Sequence, residues 1–214
     1  MKSYTEPLFS ETFYHVYNRG INGEQLFKEE RNYNYFLQKY GQYLSGVVDT
    51  YAYCLMGNHF HFLIRTKSEE EILEFGRGEE KVGTLRRDAD LKTASWYISK
   101  QFATFFKSYS LSINKAYGRT GGLFEEPFRR LEVKSDRHFS QLVYYIHANP
   151  QKHGFCDDFR DYAHSSYWSH LSEAASKLKR KAVLTWFGDA AWYTQFHAMQ
   201  NDLGEIDDLV IEFD

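Results

Sequence analysis

Two spacings in the chain bring chemically able side chains within reach of one another. The first lies in Leu55-Met56-Gly57-Asn58-His59-Phe60-His61-Phe62-Leu63-Ile64-Arg65. Gly57-Asn58 is a turn signal, and the apolar, aromatic run after it is long enough for a buried strand. Strand side chains alternate faces, so His59 and His61 project to one side and Phe60 and Phe62 to the other. Two imidazoles on one face of a rigid element are a ready pair of metal ligands. The same two residues also read as ordinary polar groups on a half-exposed strand, the commoner fate of His-x-His.

The second spacing lies in Phe139-Ser140-Gln141-Leu142-Val143-Tyr144-Tyr145-Ile146-His147-Ala148-Asn149-Pro150. Phe139, Leu142, Val143 and Ile146 follow the i, i+3, i+4, i+7 rule for the buried stripe of a helix. At about 100° per residue, Tyr145 and Asn149 stand one turn apart and nearly above each other beside that stripe, whereas Tyr144 points well away from Asn149. A phenol and an amide oxygen are thus carried as a unit. The plainer reading makes Tyr145 a boundary aromatic and Asn149 a helix-ending residue before Pro150.

Together the two elements resemble a known family. His59-Phe60-His61 is similar to the His-hydrophobic-His motif of HUH single-strand DNA nucleases. Tyr145 with Asn149-Pro150-Gln151-Lys152-His153-Gly154 resembles the nucleophile helix of small single-tyrosine transposases, most closely the REP-associated tyrosine transposases, whose run reads Tyr-Ile-x-x-Asn-Pro-x-Lys-x-Gly. The resemblance extends from about Phe13 to Trp168. It takes in His15-Val16-Tyr17-Asn18-Arg19-Gly20, Gly121-Gly122-Leu123-Phe124-Glu125, Phe128-Arg129-Arg130 and Ser165-Ser166-Tyr167. It is the order and spacing of these fragments that make the match specific. Where the family often has Pro before the Asn of Met-Pro-Asn-His-x-His, this chain has Gly57, which alters the turn and removes no chemical group.

The resemblance implies a metal-dependent endonuclease and strand transferase acting on single-stranded DNA with a hairpin. His59, His61 and Asn149 would hold one divalent ion, Mg²⁺ or Mn²⁺, and Tyr145 would be the nucleophile that forms a 5′-phosphotyrosine. Arg19, Arg129, Arg130, Lys134 and Lys152 are the expected DNA contacts. For Arg19, pairing with a nearby carboxylate is the other reading. The family alignment places the nucleophile four residues before the amide ligand, in agreement with the helical wheel. An alternative function is a catalytically silent DNA-binding or regulatory protein on the same scaffold, although a binder needs none of these four groups. A replication or plasmid-transfer nickase shares the chemistry but usually comes in a longer chain. Some relatives dimerise by exchanging nucleophile helices and others act as monomers, so monomer and homodimer both stay open.

The other histidines offer less. His147 and His153 flank the nucleophile helix without an evident partner, and His15 reads as closing the first strand. No Gly-rich phosphate loop, Ser-His-Asp set or Cys cluster is present in the sequence. Cys54 and Cys156 have neither a disulfide framework nor a zinc spacing, and a reducing cytoplasm fits them. No apolar run approaches the length of a membrane span, and Met1-Lys2-Ser3-Tyr4-Thr5-Glu6 lacks a signal-peptide pattern.

A formal charge of −3 over 214 residues conflicts with a DNA enzyme, because phosphate contacts demand cations. The distribution resolves much of the conflict. From Ala182 onward there are seven acids and no Lys or Arg, so residues 1–181 carry +4; the stretch 92–137 alone carries +5. This predicts a mildly basic catalytic domain over 1–170 and an acidic C-terminal extension over 171–214.

The elements that must position the site follow from periodicity. Phe13 to Tyr17 alternates as a first strand. Glu29 to Leu44 is a helix with Tyr33, Phe36, Leu37, Tyr40 and Leu44 as its stripe. Val47 to Met56 is a second strand, tightly joined to the His59 strand. Residues 67–90 turn to charges and glycines and read as a surface excursion with a short helix around Ile72 and Phe75. Leu91 to Tyr117 is the longest helical pattern, Gly118 to Pro127 a loop and Phe128 to Lys134 the last strand, after which Ser135 or Asp136 can cap the Tyr145 helix. Leu184 to Gln200 is helical in part. Strand, helix, strand, strand, helix, strand is the order of a ferredoxin-like α+β sandwich with an antiparallel sheet. Both helices on one face leave the other free for the Tyr145 helix, and a C-terminal helical extension completes the chain.

Overall fold

The alternation of bulky side chains through Phe13–Arg19 (β1), Val48–Met56 (β2) and His59–Thr66 (β3) produces three neighbouring strands, with Gly57-Asn58 as the tight turn between β2 and β3. Arg129–Glu132 (β4) adds a short edge. The order across the sheet is β2-β3-β1-β4, antiparallel throughout. In the ladder Tyr17 lies opposite His61 and Arg19 opposite His59, so β3 and β1 form the centre of the sheet. The computed structural model describes residues 7–82, 93–135 and 137–199.

The helices are α1 (Glu30–Leu44), α2 (Glu69–Val82), α3 (Ala94–Tyr117), α4 (Arg137–Lys152), α5 (Tyr167–Leu171), α6 (Arg180–Phe187) and α7 (Ala190–Ala198). The side chains of α1 and α3 meet Phe60, Phe62, Ile64, Tyr14 and Val16 on one sheet face. There Tyr40 lies flat on Phe62 with ring centres 4.4 Å apart, and Phe36 stands 5.2 Å from Phe60. The other face carries Tyr17, Cys54 and Leu63, and α4 covers it with Phe139, Leu142, Val143 and Ile146. All four of those stripe residues are buried. Each contributes about 1.5–3 kcal/mol by leaving water, which is what fixes the rotation of α4 on the sheet.

Two elements differ from the sequence reading. The excursion after β3 is a helix of 14 residues, not a short one, with Ile72 fully buried. Ser68 starts it: its hydroxyl accepts from the Glu71 N–H while the Glu71 carboxylate accepts from the Ser68 N–H, a reciprocal capping box. Gly76 lets this helix lie against α3, since a Cβ there would meet the Tyr97 ring at 2.4 Å. Second, α4 does not end at Asn149, as the plainer reading has it, but runs through Pro150 to Lys152. It closes on Gly154 at φ +70°, with the Phe155 N–H donating to Pro150 O and the Gly154 N–H to Gln151 O, a Schellman ending.

The chain after α4 returns along the free edge of β2. Leu55 N–H donates to His164 O, Ser166 N–H to Tyr53 O and Lys179 N–H to Thr50 O, so the exposed edge is covered. Trp186 of α6 stacks on Tyr51 at 5.1 Å and on Phe139 at 4.6 Å, and Tyr193 of α7 is buried against Tyr167. Residues 180–198 therefore pack on the same sheet face as α4, across the expected division at residue 170. The acids from Asp202 onward, the start of the predicted helix at Leu91 and the capping candidate Asp136 lie outside the described residues. Among the described residues no helix is long and apolar enough to cross a membrane.

Candidate active site

His59 and His61 project from β3 to the α4 side of the sheet, with ring centres 5.4 Å apart. Their neighbour on β1 is His15, two residues before Tyr17 and therefore on the same face. One turn-spaced row on α4 descends over them. The Tyr145 ring stands edge-on to His61 at 5.8 Å and to His15 at 5.9 Å. Asn149 follows one turn later, and His153, just past the end of the helix, reaches within 5.1 Å of the His59 ring. The structure thus brings His59, His61, Tyr145 and Asn149 to one buried place. All four are at most 4% exposed.

The orientation of each polar group follows from its nearest bond. His59 Nδ1 lies 2.7 Å from Asn58 Oδ1; an amide oxygen only accepts, so Nδ1 carries the proton and Nε2 the lone pair. His61 Nδ1 lies 2.9 Å from His15 Nε2. Asn149 donates its Nδ2 to the Tyr145 carbonyl at 3.1 Å, which turns Oδ1 away from the helix backbone. That oxygen is buried and has no hydrogen-bond partner. Leaving a buried carbonyl bare costs about 1–3 kcal/mol, so the arrangement is unfavourable unless something else meets the oxygen.

Burial sets the charge state of the pair. It pushes His59 down to about 3, with help from nearby His153 and Arg19, and holds His61 well below the ordinary imidazole range, helped by His15, His59 and His153. Both rings are neutral near pH 7, the form that ligates metals. Two neutral imidazoles and a bare amide oxygen make a mixed nitrogen and oxygen donor set that fits a divalent ion.

Tyr144 faces elsewhere. Its ring lies against Phe159, Phe196 and His197 at 5.7–6.0 Å, on the side of α4 that meets α7. His147 is on that side too. It is bonded to His197 through Nδ1 at 3.0 Å and to the Ser166 hydroxyl through Nε2 at 2.7 Å, partners that the sequence did not reveal.

The expected cations surround the site unevenly. Arg19 pairs through Nε with Glu125 at 2.5 Å, and Arg129 reaches the other oxygen of the same carboxylate at 3.3 Å. Arg130 lies 4.8 Å over the Phe128 ring. Lys134 is exposed and 3.8 Å from Glu132. The Lys152 ammonium lies over the Tyr145 ring at 5.8 Å.

Four neighbours of the site were given no role in it from the sequence: His15, Asn58, Glu125 and His153. Asn58 directly precedes His59, and His153 is two turns of helix past Tyr145, so both were within reach of spacing arguments. His15 and Glu125 arrive through strand pairing and a loop, which spacing does not disclose.

No protein-family model matches the chain, and no curated protein matches it. Among solved structures it is similar to a REP-associated tyrosine transposase bound to a REP hairpin, with a TM-score of 0.52 and 16% sequence identity over 84% of this chain and 94% of that one. At this identity the likeness establishes the fold, α+β with a four-stranded antiparallel sheet.

Proposed function

We propose that this chain is a single-strand DNA endonuclease and strand transferase that uses Tyr145 as its nucleophile. The observation that carries the reading is the convergence, in one buried place, of a phenol, two neutral imidazoles and an amide oxygen without a hydrogen bond. Burying polar groups in this way costs stability, and a protein that only binds DNA has no use for it. The structural neighbour holds a REP hairpin, which supports a hairpin-bearing strand as substrate.

His59, His61 and Asn149 would hold one divalent ion, Mg²⁺ or Mn²⁺, which when bound supplies Lewis-acid polarisation of the scissile phosphate. The residues of the chain do the rest. Asn58 keeps the Nε2 lone pair of His59 available. Tyr145, on the same helix face as Asn149, is held beside His61, which orients a nucleophile that is weak in solution, where a phenol titrates near ~10. Its oxygen attacks phosphorus, its proton is lost, and the departing 3′-oxygen takes one up. The result is a 5′-phosphotyrosine and a free 3′-OH. Because the phosphoester is conserved, another 3′-OH can attack it and rejoin DNA without ATP.

Arg19 and Arg129 would meet the backbone near His59, exchanging part of their pairing with Glu125 for phosphate. These pairs are partly buried, with side chains 23–33% exposed, so the new phosphate contacts must offset the pairing that is given up. Lys152 must leave the Tyr145 ring to admit the strand and would then contact the same phosphate. The Tyr145 of α4 faces the histidines of its own sheet, which supports a site complete in one chain. The test is incubation of single-stranded hairpin oligonucleotides with the protein and manganese. The reading requires a nick with a polymerase-extendable 3′-OH and a 5′ end retained on protein. Hairpin binding without any nick would favour the silent DNA-binding alternative.

A further inference from the structure

We infer that His15 is a positioning residue that sets the tautomer of His61 and so aims the Nε2 lone pair of His61 into the site. This rests on the metal-assisted reading proposed above. The geometry begins with the ladder: Tyr17 lies opposite His61 and His15 opposite Leu63, so His15 sits diagonally beside His61 on the same face. Both imidazoles are fully buried. Their rings are near-parallel, with centres 5.1 Å apart, and His15 Nε2 meets His61 Nδ1 at 2.9 Å.

A contact of that length between two ring nitrogens holds one proton, so one ring donates and the other accepts. If His15 donates from Nε2, His61 accepts at Nδ1 and carries its own proton on Nε2, where a cation would need the lone pair. If His61 donates from Nδ1, His15 accepts at Nε2, keeps its proton on Nδ1, and His61 Nε2 is a ligand. Only the second arrangement builds a site. His59 faces no such choice, because its partner is the oxygen of Asn58, which cannot donate. The two histidines of the His-x-His pair are therefore held by different devices: one by an amide that permits a single tautomer, the other by an imidazole whose own proton must be kept on Nδ1. Outer partners of metal-bound histidines typically change affinity by about 10–100-fold when removed.

The test has two parts. In metal-free protein labelled with ¹⁵N, ring nitrogen shifts should place the proton on Nδ1 in both His15 and His61; a proton on His15 Nε2 would overturn the inference. Manganese affinity by calorimetry is then compared for the wild type, His15→Phe and His15→Gln. The Phe variant keeps the ring and loses the acceptor, and its affinity should fall about 10–100-fold. The Gln variant restores an acceptor oxygen and should recover most of that loss. Wild-type affinity in a folded His15→Phe protein overturns the inference, as does a Gln variant as weak as Phe. If the Phe variant does not fold, the Gln variant and the wild-type spectra still decide. A wild-type protein that binds no manganese overturns the proposed function and the metal part of this inference, while metal-free spectra of the wild type and His15→Gln independently decide whether His15 holds the His61 proton on Nδ1.

Discussion

Asn149 donates its amide nitrogen to the carbonyl of Tyr145 at 3.1 Å, and by that bond its buried amide oxygen is turned out of the helix with nothing to accept. The nucleophile candidate and the ligand candidate on α4 are thus coupled through the backbone of one helical turn. The oxygen is a stability cost, which the proposed role as a metal ligand would account for. Replacing Asn149 by Leu should remove that cost together with one hydrogen bond worth about 0.5–1.5 kcal/mol. Metal-free stability in urea should accordingly change by less than about 1.5 kcal/mol, in either direction, while manganese binding disappears. Unchanged manganese affinity in Asn149→Leu would remove Asn149 from the ligand set.

If the site is complete in one chain, two broken copies cannot repair each other. Mixing Tyr145→Phe with His61→Ala should yield no protein–DNA adduct. A helix-exchanged dimer would instead assemble one intact site from the pair, and adduct would return to a measurable fraction of the wild-type level.

A second group of histidines ties the C-terminal helices to α4, and it should make the fold acid-sensitive. Tyr53 N–H donates to the Ser166 hydroxyl; that hydroxyl meets His147 Nε2, His147 Nδ1 meets His197 Nε2, and His197 Nδ1 meets the carbonyl of Tyr193. Burial holds His147 well below the ordinary range and lowers His170 to about 3 and His197 to about 4. The folded values lie under the unfolded value near ~6.5, so the unfolded chain binds more protons in between. The stability from these groups is complete above the unfolded value and is lost as pH falls from there towards about 4 and 3. His59 and His61 act with the same sign. Urea midpoints measured with chelator at pH 7.5, 6 and 5 should fall steadily, and less steeply in His197→Asn. A flat profile would contradict the linkage.

The position of the cut decides what truncation does. Ending the chain at Met199 removes six acids and should raise affinity for non-specific single strands at low salt, with a smaller gain at high salt. Ending it at Lys181 also removes buried Val183 and Tyr193 and the Trp186 stack on Tyr51 and Phe139. Losses of large buried side chains run to about 2–5 kcal/mol each, so this shorter protein should unfold at much lower urea. Equal stability of the two truncations would show that α6 and α7 are peripheral.

Much of the site was legible because it depends on local periods. A period of two put His59 and His61 on one face, and 100° per residue separated Tyr145 from Tyr144 and joined it to Asn149. The ferredoxin-like order was legible for the same reason. What was hidden depends on register and distance. That His15 lies beside His61 is a property of β1–β3 pairing across 46 residues, and Glu125 meets Arg19 across 106. Helix α2 was legible in principle, since Ser68-Glu69-Glu70-Glu71 carries the capping-box spacing, but its charges and glycines concealed a stripe anchored by the fully buried Ile72. Helix α4 outlasts Pro150 because its last turn is closed by Gly154 rather than by the proline.

On the proposed function, Tyr145 becomes covalently joined to DNA. This joining is tested most directly by reacting the protein with a cleavable hairpin oligonucleotide and manganese, digesting it, and locating the nucleotide-bearing peptide by mass spectrometry. The adduct should be on Tyr145, should be absent in Tyr145→Phe and should persist in Tyr144→Phe, with hairpin binding kept in both and stability within about 1 kcal/mol of wild type. A nucleotide found on Tyr144, or an adduct that survives in Tyr145→Phe, would contradict the account.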